Sequence, residues 1–218
     1  MKNISSRRKV LFLVSLSAFL CALCAFAFHS AASLPSRYEV FSDIAMTVPY
    51  RILVADLRTN RQKERVAKII QSTFNEVDTI FNNWNPRSEL SAFNNAPPDT
   101  PFPLSPPLFE LLHFTDKVVT LTEGRFDPTV APLQKVWKQA LQRGSFPDKI
   151  LAEQTAKRVG WHQIILEDTT ARKRVDGVEL DLCGIAKGWC VDMISERLKE
   201  EGFSNSYVEW GGGDPYPR

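Results

Sequence analysis

An alternating apolar segment, Val178-Glu179-Leu180-Asp181-Leu182, runs without a break into Cys183-Gly184-Ile185-Ala186-Lys187-Gly188. This handover constrains the fold more than any other stretch. Its period-two alternation predicts a strand over residues 174–182, and the spacing after it predicts a helix over 185–201 that closes at Gly202. A strand delivered to a helix N-terminus meets free N–H groups and the positive end of the helix dipole, an arrangement suited to phosphate. Asp181 and Lys187 add charges of opposite sign there. A Walker A loop is excluded, because its lysine directly follows a glycine and precedes Ser or Thr.

The N-terminus reads as a targeting segment. Lys2, Arg7, Arg8 and Lys9 precede an uncharged apolar stretch over residues 10–28, followed by the small residues Ser30, Ala31 and Ala32. Residues 1–32 are therefore expected to be a signal peptide or a membrane anchor, and the 19-residue stretch is long enough for either. Cys21 and Cys24 lie inside it, each after a leucine rather than the small residue that lipoprotein processing prefers. Without this segment the chain holds 23 basic and 25 acidic residues, evenly interspersed, which argues against a nucleic-acid surface. Cys183 and Cys190 would stand about 10 Å apart on one helix, so two unpaired thiols are expected. Three histidines without a Cys/His cluster argue against zinc.

Elsewhere the pattern predicts a hairpin of residues 38–41 with 48–56. A helix over 61–81 follows from the spacing of Val66, Ile70, Phe74, Val77 and Phe81. Residues 82–103, rich in proline and asparagine, read as a surface loop. Ser105 is the expected N-cap of a helix ending near Gly124. Shorter helices at 133–142 and 148–159, strands at 163–166 and 206–210, and no regular strand–helix alternation complete an α+β reading. It comprises a mixed, largely antiparallel sheet with packed helices.

Two further motifs stand upstream: Gly124-Arg125-Phe126-Asp127-Pro128-Thr129-Val130-Ala131-Pro132-Leu133, and Trp84-Asn85-Pro86-Arg87-Ser88-Glu89-Leu90-Ser91-Ala92-Phe93-Asn94. With Asp181-Leu182-Cys183-Gly184-Ile185-Ala186-Lys187-Gly188, and in the same order, they resemble the ApbE family, the FAD:protein FMN transferases, over about residues 40–213. The resemblance implies that Met46, Trp84, Arg125, Phe126, Asp127, Asp181 and Lys187 contact FAD, that the Gly184 carbonyl ligates Mg²⁺, and that Lys187 assists catalysis. It implies transfer of FMN from FAD to a Thr or Ser hydroxyl of an exported target protein, with AMP released. The place implied is the inner membrane facing the periplasm, or the periplasm if the segment is cleaved. A non-catalytic exported FAD-binding protein, or a pyrophosphatase giving FMN and AMP, are the alternatives.

Each residue also has a plainer reading. Trp84 can cap a core, Asp127 can form a turn, Asp181 can cap a helix, Lys187 can be a solvated helix lysine, and His113 is expected on a helix surface. The chain departs from the family pattern at Arg125, Ala131 and Cys183, and at Met46-Thr47-Val48 where Met-Gly-Thr is usual. Arg125 either crowds the flavin or lends it a cation. Family chains continue past their Gly-Gly strand, so residues 38–218 are expected to form an incomplete domain, with further Asp and Thr metal ligands beyond Arg218 and little FMN transfer by 218 residues alone.

Overall fold

The computed structural model describes residues 37–211. The expected targeting segment, with Cys21 and Cys24, lies outside them. Among the described residues no helix is long and apolar enough to cross a membrane.

The expected hairpin is present and longer than the pattern indicated. β1 (Tyr38–Ala45) and β2 (Val48–Ala55) pair antiparallel through a two-residue turn, Met46-Thr47. Both turn residues take left-handed φ values, 48° and 67°, the conformation that matches the twist of a tight hairpin. β6 (Ser206–Trp210) adds antiparallel to β2, giving the order β1-β2-β6. A second sheet joins β3 (Phe102–Pro103), β5 (Thr170–Lys173) and β4 (Ile164–Glu167) in the order β3-β5-β4. Both sheets are antiparallel and helices pack on the first of them, so the α+β expectation holds.

α1 (Asn60–Ile80) starts with a full capping box, Thr59 and Gln62 each serving the other's backbone. Its apolar stripe is buried as the spacing required, with Val66, Ile70, Phe74 and Val77 at most 7% exposed. The stripe meets α6 (Cys183–Glu200), whose Cys190, Ile194 and Leu198 are fully buried. Arg197 ties the two helices: its guanidinium donates to Thr73 Oγ1 at 2.9 Å and to Glu76 Oε2 at 2.6 Å. Phe74 stacks between Tyr50 of β2, at 4.7 Å between ring centroids, and Trp210 of β6, at 5.2 Å. These aromatics fix the α1–α6 layer onto the first sheet.

α3 (Pro106–Leu121) follows its expected Ser105 cap, and α4 (Ala131–Gln142) packs on α5 (Lys149–Ala156). Two expectations fail. Residues 82–103 are not one loop: α2 (Glu89–Asn95) forms within them, capped by Ser88, whose Oγ accepts the Ser91 N–H at 3.0 Å. The prolines that suggested a loop lie outside this helix. Nor is there a strand over 174–182. The strand is β5, earlier in the chain, and residues 178–182 have no strand partner, Leu182 already turning into the helix at φ −91°, ψ 6°. Their alternation is real, with Val178, Leu180 and Leu182 all fully buried, but burial came without a ladder. α6 also begins at Cys183, two residues before the expected start.

Candidate functional site

The turn after α1 is built from side chains. Asp78 accepts the Asn82 amide at 2.7 Å and the Asn85 amide at 2.8 Å, one on each carboxylate oxygen. Asn82 Oδ1 then accepts the Trp84 backbone N–H at 3.0 Å. Ser88 Oγ donates to the Asn82 carbonyl at 2.6 Å and Ser91 Oγ to the Asn85 carbonyl at 2.8 Å. The backbone under Trp84 is thus fixed, yet its side chain is 72% exposed. Core packing, the plainer reading of this tryptophan, does not hold. Lys138 of α4 places its ammonium 5.4 Å from the ring centroid, within cation–π range. Glu89 of the same motif turns away and holds the start of α3, accepting the Ser105 N–H at 2.7 Å and hydroxyl at 2.5 Å.

Asp181 is placed by a different device. Asn94, at the end of α2, presents its amide to the backbone of Leu180: Nδ2 donates to the Leu180 carbonyl at 2.9 Å and Oδ1 accepts the Leu180 N–H at 2.8 Å. One side chain stands in for a neighbouring strand. The next N–H, of Asp181, donates to the Pro128 carbonyl at 2.7 Å. Asp181 Oδ1 accepts the Cys183 N–H at 2.9 Å, satisfying one of the free donors at the start of α6. No N–H or O–H among the described residues donates to its other oxygen. Lys173, 2% exposed, donates to the Asn94 carbonyl at 2.6 Å, a cation on the last turn of α2. Burial pulls the Lys173 ammonium below its usual range, partly offset by Asp176 and Glu179.

Two clefts meet at Trp84. One, of about 200 Å³, lies between Met46 on the β1–β2 turn, Phe81, Trp84, Trp210 and the first turn of α6 with Cys183 and Lys187. Its walls are mostly apolar, with one ammonium at the rim. The other, of about 230 Å³, is polar and takes in Asn83, Trp84, Asn94, Lys138 and Asp181. Each is lined by a residue with a buried polar atom that has no partner among the described residues, Trp210 Nε1 in the first and Asn83 Oδ1 in the second. Gly211, next to Trp210, lies against Val48, a residue of the first cleft. Its N–H donates to the Pro49 carbonyl at 3.0 Å, and an added Cβ would lie 2.9 Å from Val48 Cγ1.

Four of the residues singled out in the sequence therefore line these clefts: Met46, Trp84, Asp181 and Lys187. The other motif sits beside them. Phe126 packs against Gly184, where an added Cβ would lie 3.0 Å from its Cε2. Asp127 is committed to local structure: Oδ1 accepts the Thr129 N–H at 2.9 Å and hydroxyl at 2.6 Å, and Oδ2 accepts the Trp161 N–H at 3.1 Å. Arg125 points to solvent and pairs with Glu123 at 3.0 Å. His113 is not free on the surface: it packs on Phe109 at 4.2 Å, its Nε2 buried without a partner among the described residues. Among the described residues Cys183 and Cys190 are both free thiols. The surrounding protein, the hydrogen bond to Asp181 and that residue's charge push the Cys183 thiol up to about 11 against the pull of Lys187 and Lys138.

Lys138 and Trp210 were not foreseen, and nothing in their local sequence marks them; they reach the clefts from elements remote in the chain. Asn94 closes a motif already noted, but its use as a backbone mimic shows only in three dimensions.

The model of the ApbE family matches residues 46–214. The chain belongs to the ApbE family. This ApbE-family chain is 39% identical over 184 residues to an FAD:protein FMN transferase of Chlamydia muridarum, a match covering 84% of the chain and 58% of the relative. It is 41% identical over 169 residues to one of Chlamydia pneumoniae, covering 77% and 54%. The flavin transferase ApbE from Vibrio cholerae superposes with a TM-score of 0.77 at 27% identity, over 82% of this chain and 58% of that one. The chain thus spans less than two thirds of the length of each.

Proposed function

We propose that the paired clefts bind FAD and serve transfer of its FMN moiety to a hydroxyl of another protein. The observation that carries this reading is Trp84. A tryptophan 72% exposed on a backbone fixed by five polar side chains is suited to stacking a flat ring. The apolar cleft fits an isoalloxazine edge between Met46 and Trp84, and Lys187 with the N-terminus of α6 fits the anionic end. Asp181, which lines the polar cleft, can accept from a ring N–H or a ribose hydroxyl. Phe126 acts through Gly184, setting how closely the start of α6 approaches. The FAD:protein FMN transferases among its relatives support the same substrate.

In this reaction the acceptor hydroxyl oxygen bonds to the FMN-side phosphorus, the bridging P–O bond breaks, the hydroxyl proton passes to solvent or a base, and AMP leaves with the electron pair. Lys187 would stabilise charge gathering on the phosphoryl oxygens. Mg²⁺ is part of the proposal. The described residues bring together no group of three His, Cys, Asp or Glu side chains. The Gly184 carbonyl and the Asp181 carboxylate are hard donors, so pyrophosphate oxygens and further groups would complete the shell. When bound, the ion would neutralise the pyrophosphate. The basic and apolar N-terminus supports export and attachment to the inner membrane facing the periplasm, with an exported Thr/Ser-bearing protein as acceptor.

Flavin titration tests the site: FAD should bind, and Trp84→Ala and Asp181→Ala should each weaken it. Unchanged affinity in both variants would refute the assignment. Covalent flavin fluorescence on a threonine-bearing acceptor in a denaturing gel, with and without chelator, tests the transfer. Free FMN and AMP without labelled acceptor would favour hydrolysis, and tight binding without turnover a flavin-binding protein.

A further inference from the structure

The hairpin of α4 and α5 lies beside the clefts and carries features that flavin chemistry does not use. Trp137, Leu141, Phe146, Ile150 and Leu151 are all exposed, from 40% to 82%, within fifteen residues of sequence. Trp137 and Phe146 meet edge to face at 6.3 Å between centroids, so the apolar groups of helix and connecting loop form one surface. A patch of this kind on a soluble face marks a contact. The charge of the segment is predominantly basic. Residues 131–160 carry six basic side chains, Lys135, Lys138, Arg143, Lys149, Lys157 and Arg158, against the two acids Asp148 and Glu153. Both acids are engaged locally, Asp148 capping Leu151 N–H at 2.8 Å and Glu153 beside Lys149 at 3.8 Å. Arg143, Lys157 and Arg158 make no ion pair among the described residues. The rest of the chain beyond residue 32 is the reverse, 17 basic against 23 acidic.

We propose that this hairpin is a membrane-surface contact, its apolar tip seated in the interfacial layer of an anionic bilayer and its unpaired cations Arg143, Lys157 and Arg158 on the headgroups. Aromatic side chains beside Lys and Arg on an amphipathic helix favour that layer. A second copy of the chain is a poor occupant, because two such faces would bring like charges together. The chain also carries its own apolar run over residues 10–28, which would hold it near such a surface. One consequence concerns the clefts. Lys138, next to Trp137, lines the polar cleft under Trp84, so a hairpin resting on lipid holds that cleft about one helix diameter, roughly 10 Å, from the headgroups. An acceptor embedded in the same membrane would meet it there.

The test uses the full chain with vesicles of phosphatidylglycerol or of phosphatidylcholine whose acyl chains carry bromine, which quenches tryptophan on contact. The quenching that disappears in Trp137→Phe belongs to Trp137 alone, so tethering through the N-terminal run does not imitate it. The expected result is Trp137-dependent quenching in phosphatidylglycerol, its loss in phosphatidylcholine, and its loss in phosphatidylglycerol with Phe146→Ser. Phe146 is 82% exposed, so that variant leaves the core intact. Absence of Trp137-dependent quenching, or quenching indifferent to lipid charge, would overturn the proposal. So would a concentration-dependent rise in mass without lipid that Phe146→Ser reverses, which would assign the patch to a second copy.

Discussion

Asn94 and Leu180, 86 residues apart, are joined by two hydrogen bonds in which one side-chain amide takes both backbone groups of a fully buried residue. The pairing places Asp181, the next residue, at the edge of the polar cleft. Asn94→Ala leaves a buried N–H and a buried carbonyl without partners, each costing about 1–3 kcal/mol. Asn94→Asp keeps the acceptor but sets a carboxylate oxygen against the Leu180 carbonyl, so it should not rescue. Denaturant unfolding should show both variants destabilised, and flavin titration should show weaker FAD binding in whatever fraction remains folded. Rescue by Asn94→Asp would show that only the Leu180 N–H matters.

Thr47 is a β-branched residue held at φ 67° in the tightest turn of the first sheet. Left-handed backbone costs a side-chain-bearing residue roughly 1 kcal/mol or more, and glycine nothing comparable. Thr47→Gly should therefore raise stability by about 1 kcal/mol, read from the denaturation midpoint at constant slope. The register of Ala45 with Val48 should be kept, and with it the position of Met46 in the apolar cleft.

Gly184 and Gly188 lie one turn apart on α6 in unlike surroundings. A Cβ at Gly188 meets nothing within 4 Å, whereas one at Gly184 lies 3.0 Å from the Phe126 ring. Gly188→Ala should stabilise by about 0.5–1 kcal/mol, the ordinary gain inside a helix. Gly184→Ala should lose most of that gain by displacing Phe126, and should weaken FAD binding where Gly188→Ala does not. Equal gains in the two variants would mean the ring yields at no cost.

Cys183 is exposed yet hard to ionise, its thiol pushed up to about 11 by its surroundings and by Asp181. Since the thiolate is the nucleophile, alkylation by iodoacetamide should stay slow at pH 8 and rise toward a midpoint near 11. Asp181→Asn removes a group that raises the value and should move the midpoint down. Lys187→Ala removes one that lowers it and should move the midpoint up. Fast labelling at neutral pH would contradict the described environment of this thiol.

Those elements whose signal is local were legible in the sequence. α1 announced itself through Val66, Ile70, Phe74 and Val77, and α3 through Ser105 and Pro106. What misled was burial without its usual cause. Residues 178–182 alternate as a strand does, but Asn94 and Pro128 satisfy their backbone in place of a ladder. β5 stayed hidden because Thr170-Ala171-Arg172-Lys173 puts a lysine on its inward face, a pattern no hydrophobic count detects. The site followed the same division. Trp84, Asp181 and Lys187 were marked by their motifs. Lys138 and Trp210, which come to the same clefts from α4 and β6, carry no signal short of the folded chain.

The pairing of β2 with β6 has a kinetic meaning. Tyr50 lies opposite Trp210, so a strand near the start of the described chain closes on one at its end. The apolar cleft has Met46 on one wall and Trp210 on another. Contacts of such long sequence separation form late, because the intervening loop must close first. A nascent chain that has yet to extend past β6 lacks one wall of this cleft, so the cleft forms only after that strand has been made and the loop has closed. A ligand seated in it would then draw the closed sheet forward by mass action.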